Sequence, residues 1–339
     1  MKVSKQFIFF LSLFLILISG FYFFKQNNQS MAVDSTPPHP LINNTPLLKD
    51  REIFAFPKPL SNIELQAEAA LLINAENGDI LYEKNTEEAL PIASMSKMMT
   101  ELIILEAIDE GKVSWDDTVT VSDYAFTISH HPGFASVLLN QDKNYTIREL
   151  FLAMAIRSAN GATIALAEAV HGTEKDFVEK MNEKAQQLGL QNSNFVNTTG
   201  LGNEYLGEYY SVGSPNDSNI MSARDVITLA TYLIDQFPNI LDIAKTPQID
   251  FHQETYINTN LMLPDLVGKS MEYFGLDLSY EGIDGLKTGF TNEAGYCFTG
   301  TVEIGDMRFI SVIMGSNNSE DRFIETKQLY EAIKEQINN

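Results

Sequence analysis

Three short polar clusters at wide spacing restrict what this chain can fold into: Ser94-Met95-Ser96-Lys97, Ser158-Ala159-Asn160 and Lys287-Thr288-Gly289. Each holds groups that do chemistry only in company, so the fold must carry segments far apart in sequence to one cleft. A serine hydroxyl is a weak nucleophile until a neighbouring base takes its proton. Positions i and i+3 share one face of a helix, so Ser94 and Lys97 touch if a helix runs through them. The stretch KMMTELIILEAIDEGK predicts that helix, with Met98, Leu102, Leu105 and Ile108 at helical spacing and Gly111 near its end. Pro91 suits a chain turning into it and places Ser94 in the first turn, where free amides and the helix dipole favour a developing anion. Ser96, the rival hydroxyl, points away around the helix. Lys97 serves as a base only as the neutral amine, so its pKa must fall by roughly three units from ~10.4, at a cost of about 4 kcal/mol. Desolvation and a second cation lower it, and Lys287 is that cation. The bland alternative makes Ser94 a helix cap and Lys97 a surface lysine; the other two clusters argue against it.

The second cluster follows a capping box, Thr146-x-x-Glu149, and the helical run RELFLAMAIR, and it precedes a second helical run, GATIALAEAV, that ends at His171-Gly172. Ser158 and Asn160 therefore sit on a tight connection between two apolar helices, a rigid mount for polar groups. Turn residues of this kind are common there in any protein; here they suit proton relay to a leaving amine (Ser158) and a hydrogen bond to a substrate amide (Asn160). The third cluster lies in YEGIDGLKTGFTNEAGYCFTGTVEIGDMRFISVIMG, which reads as a strand and then a hairpin turning at Gly305-Asp306. Gly289 lets backbone approach a ligand closely, and Lys287 and Thr288 can hold a carboxylate.

The ordered set S-x-x-K, S-x-N and K-T-G resembles that of the low-molecular-weight penicillin-binding proteins, specifically serine D-Ala-D-Ala carboxypeptidases of the Gram-positive kind. The run AALLINAENGDILYEKNTEEALPIASMSKMMTE, with a hairpin at Asn77-Gly78, is similar to that family's start, and FVEKMNEKAQQLGLQNSNFVNTTGL and GIDGLKTGFTNEAGYCFTGT match its style, so the likeness spans about Ile63 to Ile337. It implies an α/β (α+β) fold of the β-lactamase/transpeptidase type: a mostly antiparallel sheet flanked by helices, an inserted all-helical region and a cleft between them. It implies removal of the terminal D-Ala from peptidoglycan stem peptides through an acyl-enzyme on Ser94, inhibition by β-lactams, and no metal or organic cofactor. Ser94, Lys97 and Ser158 would be catalytic; Asn160, Lys287, Thr288, Gly289 and Phe290 would bind substrate, the amides of Phe290 and Ser94 forming the oxyanion hole. Losing one such donor costs ~2.7–4 kcal/mol of transition-state stabilisation.

The chain departs from the family in two ways. Many relatives carry a further β-rich domain and a C-terminal amphipathic anchor, and here the sequence ends after EDRFIETKQLYEAIKEQI. A basic residue that often meets the ligand near Asn258 is replaced by Thr259. Arg322 reads as a surface helix arginine, with a compensating charge at the cleft as its alternative. Three other activities use the same motifs. A class A-like β-lactamase needs a Glu for deacylation some tens of residues beyond S-x-N, and none occurs from Lys184 to Asn203. A D,D-endopeptidase cutting cross-links shares the whole machinery. A non-hydrolysing β-lactam receptor usually carries more membrane helices and a signalling domain.

The net charge of −22, from 23 basic and 45 acidic residues, argues against nucleic acid as a partner. One cysteine, Cys297, permits no internal disulfide and falls in an apolar strand, where a buried inert thiol is the natural reading. The five histidines show no metal-ligand spacing. At the N-terminus the basic MKVSK precedes QFIFFLSLFLILISGFYFF, an apolar run of bilayer-spanning length. Signal-peptide cores are shorter, ~7–15 residues. The run is therefore expected to be a retained anchor, with a cleaved signal as the alternative, and the charge bias leaves the enzyme outside the cell membrane. The expected organisation is an anchor or signal over 1–25, a Pro- and Asn-rich tether over 26–62 and one catalytic domain over 63–339 that includes the Asn-, Gly- and Ser-rich loop Gln191 to Met221 at the cleft rim.

Overall fold

The computed structural model describes residues 57–338; the expected anchor and all but the last residues of the expected tether lie outside them. Its centre is a five-stranded antiparallel sheet built from both ends of that segment. The strands are β1 (Ala69–Asn74), β2 (Ile80–Lys84), β3 (Ile283–Thr291), β4 (Gly295–Ile304) and β5 (Met307–Ser316), in the order β2-β1-β5-β4-β3. Local turn chemistry sets the hairpins. Gly305 and Asp306 both take positive φ, 57° and 61°, the left-handed pair that a two-residue hairpin needs. Between β1 and β2, Gly78 has φ 77° and the Asn77 side chain accepts from the Asp79 amide.

Period-two alternation buries the sheet on both faces. Ala69, Leu71 and Ile73 point into one core while Ala70 and Leu72 point into the other, and β5 repeats this with Ile310 and Val312 against Phe309 and Ile313. The smaller core is closed by the last helix (Asp321–Asn338), which delivers Phe323, Leu329, Tyr330 and Ile333, each worth roughly 1.5–3 kcal/mol on burial. The larger core belongs to the helical region inserted between β2 and β3. Its helices include α1 (Lys97–Asp109), α2 (Asp123–Ser129), α3 (Ile147–Arg157), α4 (Asn160–His171), α5 (Glu174–Gln187) and α6 (Ala223–Gln236), with three shorter ones at Asn203–Leu206, Ile240–Ala244 and Val267–Phe274, and the C-terminal helix is labelled α7. Thr146 and Glu149 form the expected capping box at α3, and Ser122, Thr173 and Ser222 cap α2, α5 and α6 with their side chains. This is the antiparallel sheet with flanking helices and a helical insertion that the sequence implies.

Residues 57–62, assigned from the sequence to the tether, lie on the domain. The Leu60 amide donates to the Leu81 carbonyl, and the Lys58 backbone exchanges hydrogen bonds with the Gln336 side chain of α7. Cys297 is fully buried, and desolvation pushes its thiol up to about 11. Among the described residues, no helix is long and apolar enough to cross a membrane.

Candidate active site

Ser94 is not in the first turn of an α-helix, as its spacing suggests, but in a 3₁₀ turn, Ala93–Ser96, that leads into α1. The tighter coil sets i and i+3 in line, and the Ser94 hydroxyl oxygen lies 2.9 Å from Lys97 Nζ. Ser96, fully buried, donates its hydroxyl to the Ala93 carbonyl at 2.7 Å and faces away from the lysine. Ser94 is half-buried and opens onto a cavity of about 360 Å³.

Lys97 is itself sealed from solvent and touches two further oxygens, Asn160 Oδ1 at 2.8 Å and the Thr199 carbonyl at 2.5 Å. Neither oxygen can donate a proton. A neutral amine has two N–H bonds and one lone pair; with both N–H bonds directed to Asn160 and Thr199, the lone pair is left for the Ser94 proton. Burial, followed by the charge of Lys287, holds the Lys97 amine well below its ordinary range, and Glu101 opposes the shift.

Each contact has a local origin. Ser158 ends α3 in the left-handed conformation (φ 62°, ψ 29°), and Asn160 begins α4, so the reversal between the two helices aims both side chains into the cleft. The Thr199 carbonyl is presented by a loop folded around Asn197, whose Oδ1 accepts from the amides of Thr199 and Gly200. Buried Glu174 on α5 anchors the same loop by accepting from the Thr198 amide and hydroxyl. Strand β3 is an edge strand, and its free side meets the Ser94 turn. Lys287 is buried there and donates to the Ser158 hydroxyl at 2.9 Å and to the Thr288 carbonyl at 3.2 Å. Burial, with help from Arg322, lowers Lys287 to about 8 against an opposing contribution from Glu101. Thr288 donates to the Thr259 hydroxyl at 2.7 Å. The Phe290 ring stacks on Tyr296 at 4.1 Å and is 46% exposed at the mouth of the cavity, with Phe134 and Tyr205 on the opposite rim.

All eight site residues expected from the sequence thus converge: Ser94, Ser158, Asn160, Thr288, Gly289 and Phe290 line the cavity, and Lys97 and Lys287 stand behind its wall. Arg322 corrects its reading as a surface residue. It is 9% exposed, lines the cavity, donates to the Gly289 carbonyl at 2.9 Å and lies over the rings of Tyr296 and Phe323. Burial brings its guanidinium down to about 10. The Thr199 carbonyl leaves no mark in the sequence beyond the turn-forming Asn197. Arg322 reads as solvent-facing because α7 is otherwise mixed in polarity, and only the packing of α7 on β4 and β5, with the side chain reaching the Gly289 carbonyl of β3, buries that residue.

Two glycines grip the nucleophile turn. A Cβ on Gly200 (φ 82°) would stand 1.9 Å from the Ala93 carbonyl oxygen, and one on Gly289 would stand 2.7 Å from that of Ile92. Gly200→Ala is expected to combine the left-handed strain with a backbone clash and to destabilise the fold by about 2 kcal/mol or more. Guanidinium unfolding measures this; an unchanged midpoint would contradict the close approach.

The peptidase S11 family model, described as D-alanyl-D-alanine carboxypeptidase, matches residues 56–318. The chain is 35% identical over 270 residues to the D-alanyl-D-alanine carboxypeptidase DacF of Bacillus subtilis, covering 78% of this chain and 61% of that protein. It therefore spans about six-tenths of the length of this curated relative. Among solved structures it is similar to PBP3 of Streptococcus pneumoniae, a peptidoglycan synthesis regulatory factor, with 36% identity, TM-score 0.74, and coverage of 80% of this chain and 74% of that one. It is also similar to penicillin-binding protein D2 of Listeria monocytogenes in its cefotaxime-bound form, with 33% identity, TM-score 0.67, and coverage of 81% and 99%.

Proposed function

Since the chain belongs to the D-alanyl-D-alanine carboxypeptidase family, we propose that it is a serine carboxypeptidase that removes the terminal D-Ala from peptidoglycan stem peptides and is acylated by β-lactams. The observation that carries this reading is the coordination of Lys97: two carbonyl oxygens occupy its N–H bonds and the third contact is the Ser94 hydroxyl.

In this reaction the Lys97 lone pair takes the Ser94 proton as the oxygen attacks the carbonyl of the penultimate D-Ala. The amides of Ser94 and Phe290 receive the developing oxyanion. The Ser158 hydroxyl accepts its bond from Lys287, which leaves its own proton free to pass to the departing D-Ala amine, and the proton that Lys97 took from Ser94 replaces it, so that Lys97 is neutral again. The C–N bond breaks and an ester remains on Ser94. Water then attacks the ester as the neutral Lys97 amine takes its proton, the Ser94 oxygen departs and receives that proton back from Lys97, and the shortened peptide leaves as the acid. Lys287, Thr288 and Arg322 place two positive charges and a hydroxyl where the substrate's terminal carboxylate would lie, so Arg322 supplies the cationic character that Thr259 lacks. A β-lactam presents a strained amide and a carboxylate in the same relation and so meets the same groups. The basic N-terminal segment and the apolar run behind it support a location outside the cell membrane, held by one span.

Incubating the protein with a synthetic pentapeptide ending in D-Ala-D-Ala and weighing the product is the test. The expected product has lost one alanine, and its appearance is blocked by prior treatment with a penicillin. An unchanged pentapeptide alongside cleavage of a cross-linked dimer would replace this reading with the endopeptidase.

A further inference from the structure

Of the three oxygens around Lys97, only that of Thr199 belongs to the backbone, and a backbone oxygen is only as well placed as the loop that carries it. Three successive peptide planes run through this loop, and each is held at both ends. In the first, the Asn197 carbonyl accepts from the Asn219 side chain at 2.8 Å and the Thr198 amide donates to Glu174 at 3.1 Å. In the second, the Thr198 carbonyl accepts from the Thr100 hydroxyl at 3.1 Å and the Thr199 amide donates to Asn197 Oδ1, also at 3.1 Å. In the third, the Thr199 carbonyl faces Lys97 and the Gly200 amide donates to Asn197 Oδ1 at 2.8 Å. Asn197 and Asn219 belong to the same Gln191 to Met221 segment and shape it from within. Thr100 of α1 and Glu174 of α5 tie these planes to the helices. Glu174 grips Thr198 twice, through its amide and, at 2.7 Å, through its hydroxyl. It is 5% exposed and stands outside the cavity lining. Its place in the first turn of α5, where the helix dipole favours an anion, helps a carboxylate to be buried there.

We propose that Glu174 is a positioning residue: by holding Thr198 it sets the neighbouring Thr199 carbonyl against Lys97, and so aims the lysine's lone pair at Ser94. The inference rests on Lys97 being the base. An amine turns freely about its last carbon bond, so its lone pair has a direction only while both N–H bonds are engaged. Asn160 engages one from the start of α4 and Thr199 the other. Asn160 is mounted on a helix; Thr199 is mounted on a loop and needs anchors from outside it. Without Glu174 the turn around Asn197 can keep its own hydrogen bonds and still drift as a unit, carrying the Thr199 oxygen away from the amine. The residue thus acts on the reaction through two others and meets no substrate.

Glu174→Met keeps most of the bulk and removes the acceptor oxygens, whereas Glu174→Gln keeps an oxygen for Thr198. Stopped-flow acylation by a chromogenic β-lactam separates noncovalent affinity from the acylation rate constant, and its burst amplitude counts the folded sites. In Glu174→Met the rate constant should fall by about 10–100-fold, the scale of a misplaced catalytic group, while affinity changes by less than about threefold. Glu174→Gln should stay near the wild-type rate. A smaller amplitude with an unchanged rate constant would make Glu174 a prop of the fold alone and overturn the proposal. So would a Glu174→Gln protein as slow as Glu174→Met, since the charge rather than the accepting oxygen would then matter. If Glu174→Met does not fold, Thr198→Val carries the test: it loses the hydroxyl bond, keeps the amide bond and should acylate about fivefold more slowly. An unchanged rate in that variant would sink the idea equally. A wild-type protein that is never acylated would instead overturn the base assignment, a separate result.

Discussion

Replacing Ser94 with alanine is expected to end covalent labelling by a fluorescent penicillin and to lower peptide turnover by about 10⁴-fold or more, the scale seen when a serine peptidase loses its nucleophile. The side chain is half-buried and makes one contact of consequence, to Lys97 at 2.9 Å, so its removal should leave the fold intact. Ser96→Ala is the matched control. That hydroxyl is fully buried and bonded to the Ala93 carbonyl, away from the cavity, so labelling should persist. Labelling of the Ser94→Ala protein at the wild-type rate would remove the nucleophile assignment, and loss of labelling in both variants would point to the turn rather than to one hydroxyl.

Lys97→Met should be nearly as damaging to acylation and should separate chemistry from binding. Methionine fills much of the lysine's volume without a base, so the rate of penicillin acylation should fall by about 10²–10⁴-fold, the usual contribution of a positioned general base. Noncovalent affinity should change far less, because Lys97 stands behind the cavity wall. Stability is pulled two ways. The Asn160 and Thr199 oxygens lose their donor at about 1–3 kcal/mol each, while the desolvation that disfavours the buried ammonium disappears. On the proposed mechanism the same chemistry sets the acid limb in the wild-type protein. Below the depressed pKa of Lys97 the amine is protonated and acylation fails, so activity should extend to far lower pH than an ordinary lysine would permit. Stopped-flow acylation across pH reads both effects, and a variant slowed less than tenfold would exclude Lys97 as the base.

The sequence discloses what depends on neighbours along the chain. The capping box at Thr146 and Glu149, the left-handed hairpin pair at Gly305 and Asp306, and the i to i+3 relation of Ser94 and Lys97 are local, and each takes its expected form apart from the 3₁₀ winding at Ser94. The three motifs foretell the cleft because their chemistry is useless apart. Other features depend on which surfaces pack together. Arg322 is polar in a mixed helix and becomes a wall of the site only because α7 lies against the sheet. The Thr199 oxygen belongs to the backbone, which every residue has. Glu101 is a lone carboxylate in the apolar run MMTELIIL, and nothing beside it in the chain tells that folding leaves it only 2% exposed.

The paired glycine approaches bear on how a site of this kind can change. Gly200 from the helical insertion and Gly289 from the sheet press backbone to backbone on adjacent residues, Ala93 and Ile92, from two directions. The attacking oxygen is thus clamped like a workpiece in a vice, and neither jaw can be shifted without dislodging it. Adaptation to a new peptide is left to the outlying aromatic rings, Phe134, Tyr205 and Phe290, which can be exchanged while the jaws stay shut.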